Sequence, residues 1–185
     1  MKNSKIIIGL VGEIASGKDT VAAYLKKKYK SETISFSQPL RNILDVLFLS
    51  QTRESMSWLG TILRGRFGQN LLAKVITQKA EKSKSRIVVI PNVRLPQDIV
   101  FLKRLPHFVL VGIDTNPKIR YQRLTKRRQN ADDKNKTWKQ FLKDAKLPTE
   151  TKIRKLIKKS RIILDNNGDF KDLYLQVEKM LKKYV

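Results

Sequence analysis

Ile6-Ile7-Ile8-Gly9-Leu10-Val11 followed by Gly12-Glu13-Ile14-Ala15-Ser16-Gly17-Lys18-Asp19-Thr20 is the stretch that decides how the chain folds. The apolar run reads as a buried strand, and Val21-Ala22-Ala23-Tyr24-Leu25 reads as the start of a helix. Glycines at both ends of the intervening loop let backbone N–H groups turn inward around a phosphate. The N-terminus of the following helix adds partial positive charge. Lys18 is placed to reach the outer phosphates as a point charge. A glycine-rich turn that binds nothing has no need of that lysine at that spacing between a strand and a helix. Gly12, Glu13, Ile14, Ala15, Ser16, Gly17, Lys18, Asp19 and Thr20 are therefore the expected nucleoside triphosphate site.

The bulk numbers suit one domain spanning residues 1–185, of which 41% are hydrophobic. There is no cysteine, hence no disulfide framework and no zinc site of the usual kind, and a cytoplasmic setting is the simplest expectation. Lys2-Asn3-Ser4-Lys5 before the apolar run superficially resembles a leader peptide. That run is too short, meets Glu13 and is needed as the strand before the loop. Charge is the outlier: 40 Lys and Arg against 16 Asp and Glu give +24. Such a field favours polyanions, whether nucleic acid or a ribonucleoprotein, an acidic membrane surface, or highly phosphorylated ligands.

Working outward, Glu32–Phe36 reads as a second strand, and Ser37 caps a helix with Leu40, Ile43, Leu44, Leu47 and Phe48 on one face. Arg53 to Arg66 reads as a helix broken by Gly65 and Gly68, and Leu71 begins the next. Ile87-Val88-Val89-Ile90 has the continuous β-branched character of a central parallel strand. A short helix over Gln97–Leu105 leads to a fourth strand, Phe108–Ile113, ending at Asp114. A basic helix runs from Pro117 to about Arg128, and residues 130–135 form a polar break. Amphipathic helices follow around Trp138–Leu142 and Ile153–Ile157, then a fifth strand at Arg161–Leu164 and a closing helix over Phe170–Leu181. Strands alternating with helices imply a mainly parallel sheet with right-handed crossovers. His107 reads as structural, and Trp58 and Trp138 read as packing residues.

Several local stretches resemble the P-loop nucleoside and nucleotide kinases. Phe36-Ser37-Gln38-Pro39-Leu40-Arg41, Leu59-Gly60-Thr61 with Arg64, and Asn92-Val93-Arg94-Leu95-Pro96-Gln97-Asp98 resemble segments of phage-type deoxynucleoside monophosphate kinases. Asp114 with Arg123-Leu124 and Arg127, and Ile163-Leu164-Asp165-Asn166-Asn167-Gly168 with Gln176-Val177, resemble dephospho-CoA kinases. The resemblance implies an α/β P-loop kinase fold, a five-stranded parallel sheet in order 2-3-1-4-5 flanked by helices, with a basic helical lid at about 118–160. It implies ATP and Mg²⁺ as cofactors, with Asp19 and Thr20 beside the metal. Arg41, Arg64 and Arg94 would hold an acceptor phosphate, and Arg123 and Arg127 would clamp the triphosphate with Lys18 and Arg94 as catalytic cations. Asn166 and Gly168 would border the adenine.

The implied activity is phosphoryl transfer from ATP to a small acceptor, a nucleoside or deoxynucleoside monophosphate, with dephospho-CoA as the alternative. Two positions depart from the resembling kinases, because Gln38 and Asn92 stand where those place carboxylates. An amide accepts a hydrogen bond but carries no charge to stabilise a metal or take a proton. Asp19, Asp114 or Glu13 would then have to substitute. Failing that, the chain is a lapsed nucleotide-binding fold whose basic face, from Lys118 to Arg161, binds RNA or a ribonucleoprotein.

Overall fold

The computed structural model describes residues 5–127 and 136–184, the side chains of Arg53, Arg127, Pro148 and Thr149 excepted; the expected polar break at 130–135 lies outside the described residues. The strands are β1 (Ile6–Gly12), β2 (Glu32–Thr33), β3 (Ile87–Ile90), β4 (Phe108–Asp114) and β5 (Ile162–Asp165). They form one sheet in the order β2-β3-β1-β4-β5, every pair parallel. This is the P-loop kinase architecture expected from the sequence. The helices are α1 (Lys18–Tyr29), α2 (Gln38–Val46), α3 (Arg53–Phe67), α4 (Leu71–Lys82), α5 (Pro96–Leu102), α6 (Pro117–Arg127), α7 (Trp138–Asp144), α8 (Pro148–Lys158) and α9 (Phe170–Leu181).

Alternation along the strands divides the core into two layers. Ile6, Ile8 and Leu10 pack with Val21 and Leu25 of α1 and Leu173 and Val177 of α9. Ile7 and Val11 face the other way, onto Ile76 of α4, Leu102 of α5 and Ile153, Leu156 and Ile157 of α8. Every residue of β1 is buried, as a central strand covered on both faces requires. A third cluster, Leu40, Leu44, Leu59 and Leu72, joins α2, α3 and α4.

Four expectations are corrected, the packing role of Trp58 among them. The second strand pairs over Glu32–Thr33 alone: Ile34 still donates to the Val89 carbonyl at 2.9 Å, but Phe36 turns into the core beneath α2. Gly65 lies inside α3, which runs to Phe67 and ends at Gly68, where φ is +95°. The apolar face of α2 does not continue past Val46. Phe48 takes a left-handed backbone (φ +55°), so Leu47 and Phe48 leave the helical face, and Phe48 is 97% exposed. Trp58 is likewise exposed, whereas Trp138 packs on Tyr121 and Phe141 with ring centroids 5.3 and 5.5 Å apart. Among the described residues no helix is long and apolar enough to cross a membrane.

Leu102 is fully buried where α5 meets the sheet. Leu102→Ala is expected to lower unfolding free energy by about 2–5 kcal/mol, the usual range for a leucine whose cavity cannot collapse. A urea midpoint indistinguishable from that of the parent would show that α5 is not packed on the sheet as described.

Candidate functional site

In an open parallel sheet, a crevice forms at the carboxyl ends of the strands where the order reverses. Here β1 lies between β3 and β4, so the loop after Gly12 emerges into that crevice. Ala15 (φ +57°) and Gly17 (φ +101°) give the loop its inward curl, and Gly17 caps α1. A side chain at Gly12 would collide with Ser16 Oγ, and one at Gly17 with Asn166 Nδ2. The Ser16 carbonyl is held from below by Asn166 Nδ2 at 2.7 Å and Thr115 Oγ1 at 3.1 Å. Lys18 Nζ donates to the Gly12 and Glu13 carbonyls, 2.8 Å each. The buried Ser16 hydroxyl has no hydrogen-bond partner among the described residues.

A cleft of about 720 Å³ opens above this loop, lined by Ile14 through Thr20. Arg41 enters from α2, Asn92 and Arg94 from the segment after β3, and Arg123 and Lys126 from α6. Asn166 and Phe170 complete the wall. Asn92 is set by a left-handed backbone, φ +62°. Arg41 Nη1 donates to Gln51 Oε1 at 3.2 Å, and Arg123 Nη2 to Asn166 Oδ1 at 3.4 Å. Burial draws the Arg123 guanidinium below its ordinary pKa, which favours a charged partner.

Not every expected residue reaches the cleft. Arg64 lies beside Gly60, its charge acting on Asp98, whose carboxyl burial pushes up. Gly168 sits in the exposed turn before α9, next to Asp172. Gln38 is exposed, its amide donating to Asn42 Oδ1 at 2.7 Å. Asp114 also falls outside the lining, while Asp19 falls within it. Arg127 is the last residue of α6, and its side chain lies outside the described ones. Asn166 is anchored to the loop backbone, so its amide supports the cradle from beneath.

Glu13 plays a part that the sequence did not disclose. Its side chain turns away from the cleft, and its carboxylate is bracketed by two arginines. Arg120 Nη2 lies 3.0 Å from Oε2, and Arg154 Nε donates to Oε1 at 2.8 Å. Glu13 is therefore not a spare carboxylate for a metal or a proton. Arg120 is 1% exposed, donates through Nε to the Thr115 carbonyl at 3.1 Å and lies 5.3 Å from the centre of the Phe141 ring. Burial lowers its pKa, and the Glu13 charge opposes that shift. The clamp joins the loop to α6 and α8, on either side of the undescribed part of the expected lid. One sequence signal for Arg120 exists: it precedes buried Leu124 by four residues, on the core-facing stripe of α6.

No family model matches the chain. It is 27% identical over 183 residues to a UPF0200 protein of Pyrococcus horikoshii, covering 96% of this chain and 97% of that one. To a UPF0200 protein of Methanococcus maripaludis it is 25% identical over 181 residues, covering 97% of each. Among solved structures, shikimate kinase from Bacteroides thetaiotaomicron superposes with a TM-score of 0.62 at 13% identity, over 96% of this chain and 97% of that chain. Shikimate kinase from Acinetobacter baumannii in complex with shikimate gives 0.54 at 16% identity, over 99% and 97%. At these identities the likeness is one of fold, and the fold is that of the P-loop kinases.

Removing the Glu13 charge would leave Arg120 as a buried cation without its counter-ion. Glu13→Gln is expected to destabilise the protein by about 3–5 kcal/mol, the range for breaking one side of a buried ion pair. Urea denaturation measures it, and an unchanged midpoint would mean that the clamp contributes nothing to holding α6 and α8.

Proposed function

We propose that the chain, read as one unit over 1–185, transfers the γ-phosphoryl group of ATP to a small phosphorylated acceptor. A nucleoside or deoxynucleoside monophosphate is favoured over dephospho-CoA. The observation that carries this reading is one cavity that joins the loop Ile14–Thr20 to guanidinium groups delivered by three separate elements, Arg41, Arg94 and Arg123.

The residues fit the donor. The left-handed backbone at Ala15 and Gly17 curls the loop along the cleft, and the buried Ser16 hydroxyl in its lining has no hydrogen-bond partner among the described residues. The triphosphate belongs over the loop, with Lys18 and Arg123 offsetting its charge; Arg127, expected to clamp it with Arg123, is the last residue of α6. Mg²⁺ keeps several waters when bound beside phosphates, so it needs few protein ligands, and Asp19 and Thr20 in the cleft supply them. When bound, ATP with Mg²⁺ supplies the transferable phosphoryl group. Asn166, in the cleft lining, borders the adenine, and Gly168, which lies outside the cleft, is left out of that border.

The acceptor side distinguishes the substrates. Arg41 and Arg94 present planar forks suited to a phosphate, and holding it in line with the donor is most of what the reaction requires. A phosphate oxygen is already ionised near neutral pH, so it attacks without a base. A hydroxyl acceptor, as in dephospho-CoA or the shikimate of the Acinetobacter baumannii complex, must lose a proton. Asn92 stands at the acceptor end of the cleft, and an amide orients but cannot deprotonate. That favours the phosphate acceptor. Arg64, outside the cleft, is left out of the acceptor set.

A coupled assay with ATP and Mg²⁺ across the nucleoside and deoxynucleoside monophosphates, dephospho-CoA and shikimate tests the proposal. Turnover is expected with at least one monophosphate, and Lys18→Ala should abolish most of it. Arg94→Ala should reduce kcat/KM for the acceptor by roughly ten- to a hundredfold, the effect of losing a charge-assisted contact. Turnover of dephospho-CoA or shikimate alone would overturn the choice of acceptor, and ATP binding without turnover of any of these acceptors would overturn the kinase reading and leave a lapsed nucleotide-binding fold.

A further inference from the structure

The sequence of α8 and its C-cap places Lys152, Lys155 and the capping Lys159 on one side and Ile153, Leu156 and Ile157 on the other. The three apolar residues are buried as that pattern requires. The lysines do not simply face open solvent. They line one wall of a groove of about 520 Å³ between α8 and α5, and Lys103 and Arg161 line it with them. The floor is apolar, formed where Phe108, Val109 and Leu110 open β4 and where Leu156 shows through. Val100 of α5, 57% exposed, forms part of the opposite wall.

Five cations around an apolar floor, with no acidic residue in the lining, is an unfavourable arrangement when left to itself. Among the described residues none of Lys103, Lys152, Lys155 and Lys159 has an ion-pair partner. Their like charges repel across low-dielectric surface. Lysine stems often cover apolar surface while the ammonium stays wet, but the exposure of Val100 shows that the stems leave this wall open. The phosphate backbone of a nucleic acid would use the charge and leave the apolar floor without a purpose. A ligand that carries both an apolar body and an anionic group uses both, and the volume is that of a small-molecule pocket.

The groove is separate from the cleft over the phosphate-binding loop. The two share no lining residue: the floor of the groove is built at the start of β4, whereas the cleft lies at the carboxyl ends of the strands.

We propose that this groove is a second binding site, for a small anionic amphiphile: an alkyl or acyl chain lying on Val100, Phe108 and Leu156 with a phosphate-type head among the lysines of α8. The proposal does not depend on the kinase reading.

Calorimetric titration of the full chain with dodecyl phosphate, below its micellar concentration, tests it. Saturable binding of one ligand per chain is expected, at least about tenfold tighter than inorganic phosphate (the head alone) or octyl glucoside (an uncharged amphiphile). Lys155→Glu and Lys159→Glu should each weaken it by about tenfold or more, as loss of a charge-assisted contact does. Val100→Asp should do the same, since it places a like charge on the apolar wall. All three positions are exposed, so urea midpoints should stay unchanged. Lys18→Ala should leave the affinity as it was. Equal binding of inorganic phosphate or octyl glucoside, indifference to the groove variants, or dependence on Lys18 would each overturn the proposal. So would a single-stranded RNA that displaces dodecyl phosphate and binds equally well to Val100→Asp, because the groove would then be part of a phosphate-backbone surface.

Discussion

The carboxylate of Glu13, held between Arg120 and Arg154, is the interaction on which the arrangement of the site depends. It ties the second residue of the loop to α6 and α8. A buried ion pair of this kind is a poor source of net stability, since desolvating the charges offsets most of their attraction. What it provides is position. Arg120 has little freedom, being fixed at once by Glu13, the Thr115 carbonyl and the face of Phe141. The loop, the start of α6 and the middle of α8 therefore behave as one assembly.

Beneath the loop a second set of contacts does the complementary work. Thr115 follows β4 and Asn166 follows β5, and both donate to the Ser16 carbonyl. Contacts from the ends of two strands thereby fix the loop against the sheet. Glycine at position 17 is required twice over, by its positive φ and by the closeness of Asn166. Among the described residues the cleft lining carries five cations, Lys18, Arg41, Arg94, Arg123 and Lys126, against the single carboxylate of Asp19. Such a cavity is matched to a polyanionic ligand.

Part of the positive charge lines places that have shape as well as sign. One is the cleft; another is the groove under Lys152, Lys155 and Lys159. Both border the helices that Glu13 joins, since Arg154 stands on the same helix as those lysines. A further group of exposed apolar side chains lies around the end of α2 and along α3, where Phe48, Trp58 and Phe67 face outward.

Much of the fold was legible in the sequence because its signals are local. The run Ile6–Val11, the glycines at 12 and 17, Lys18 and the β-branched Ile87–Ile90 each announce their structure within a few residues. The strand order followed from resemblance to kinases, and Arg41, Asn92, Arg94 and Arg123 meet at the loop as that order requires. What only the tertiary structure decided concerns partners distant in sequence. Arg154 finds Glu13 across 141 residues, and Arg64, so similar as a residue to Arg41, lies off the cleft beside Gly60. A charged side chain has the same local pattern whether it meets water or a carboxylate on another element. Its role is set by the packing of helices on the sheet, which no window of the sequence contains.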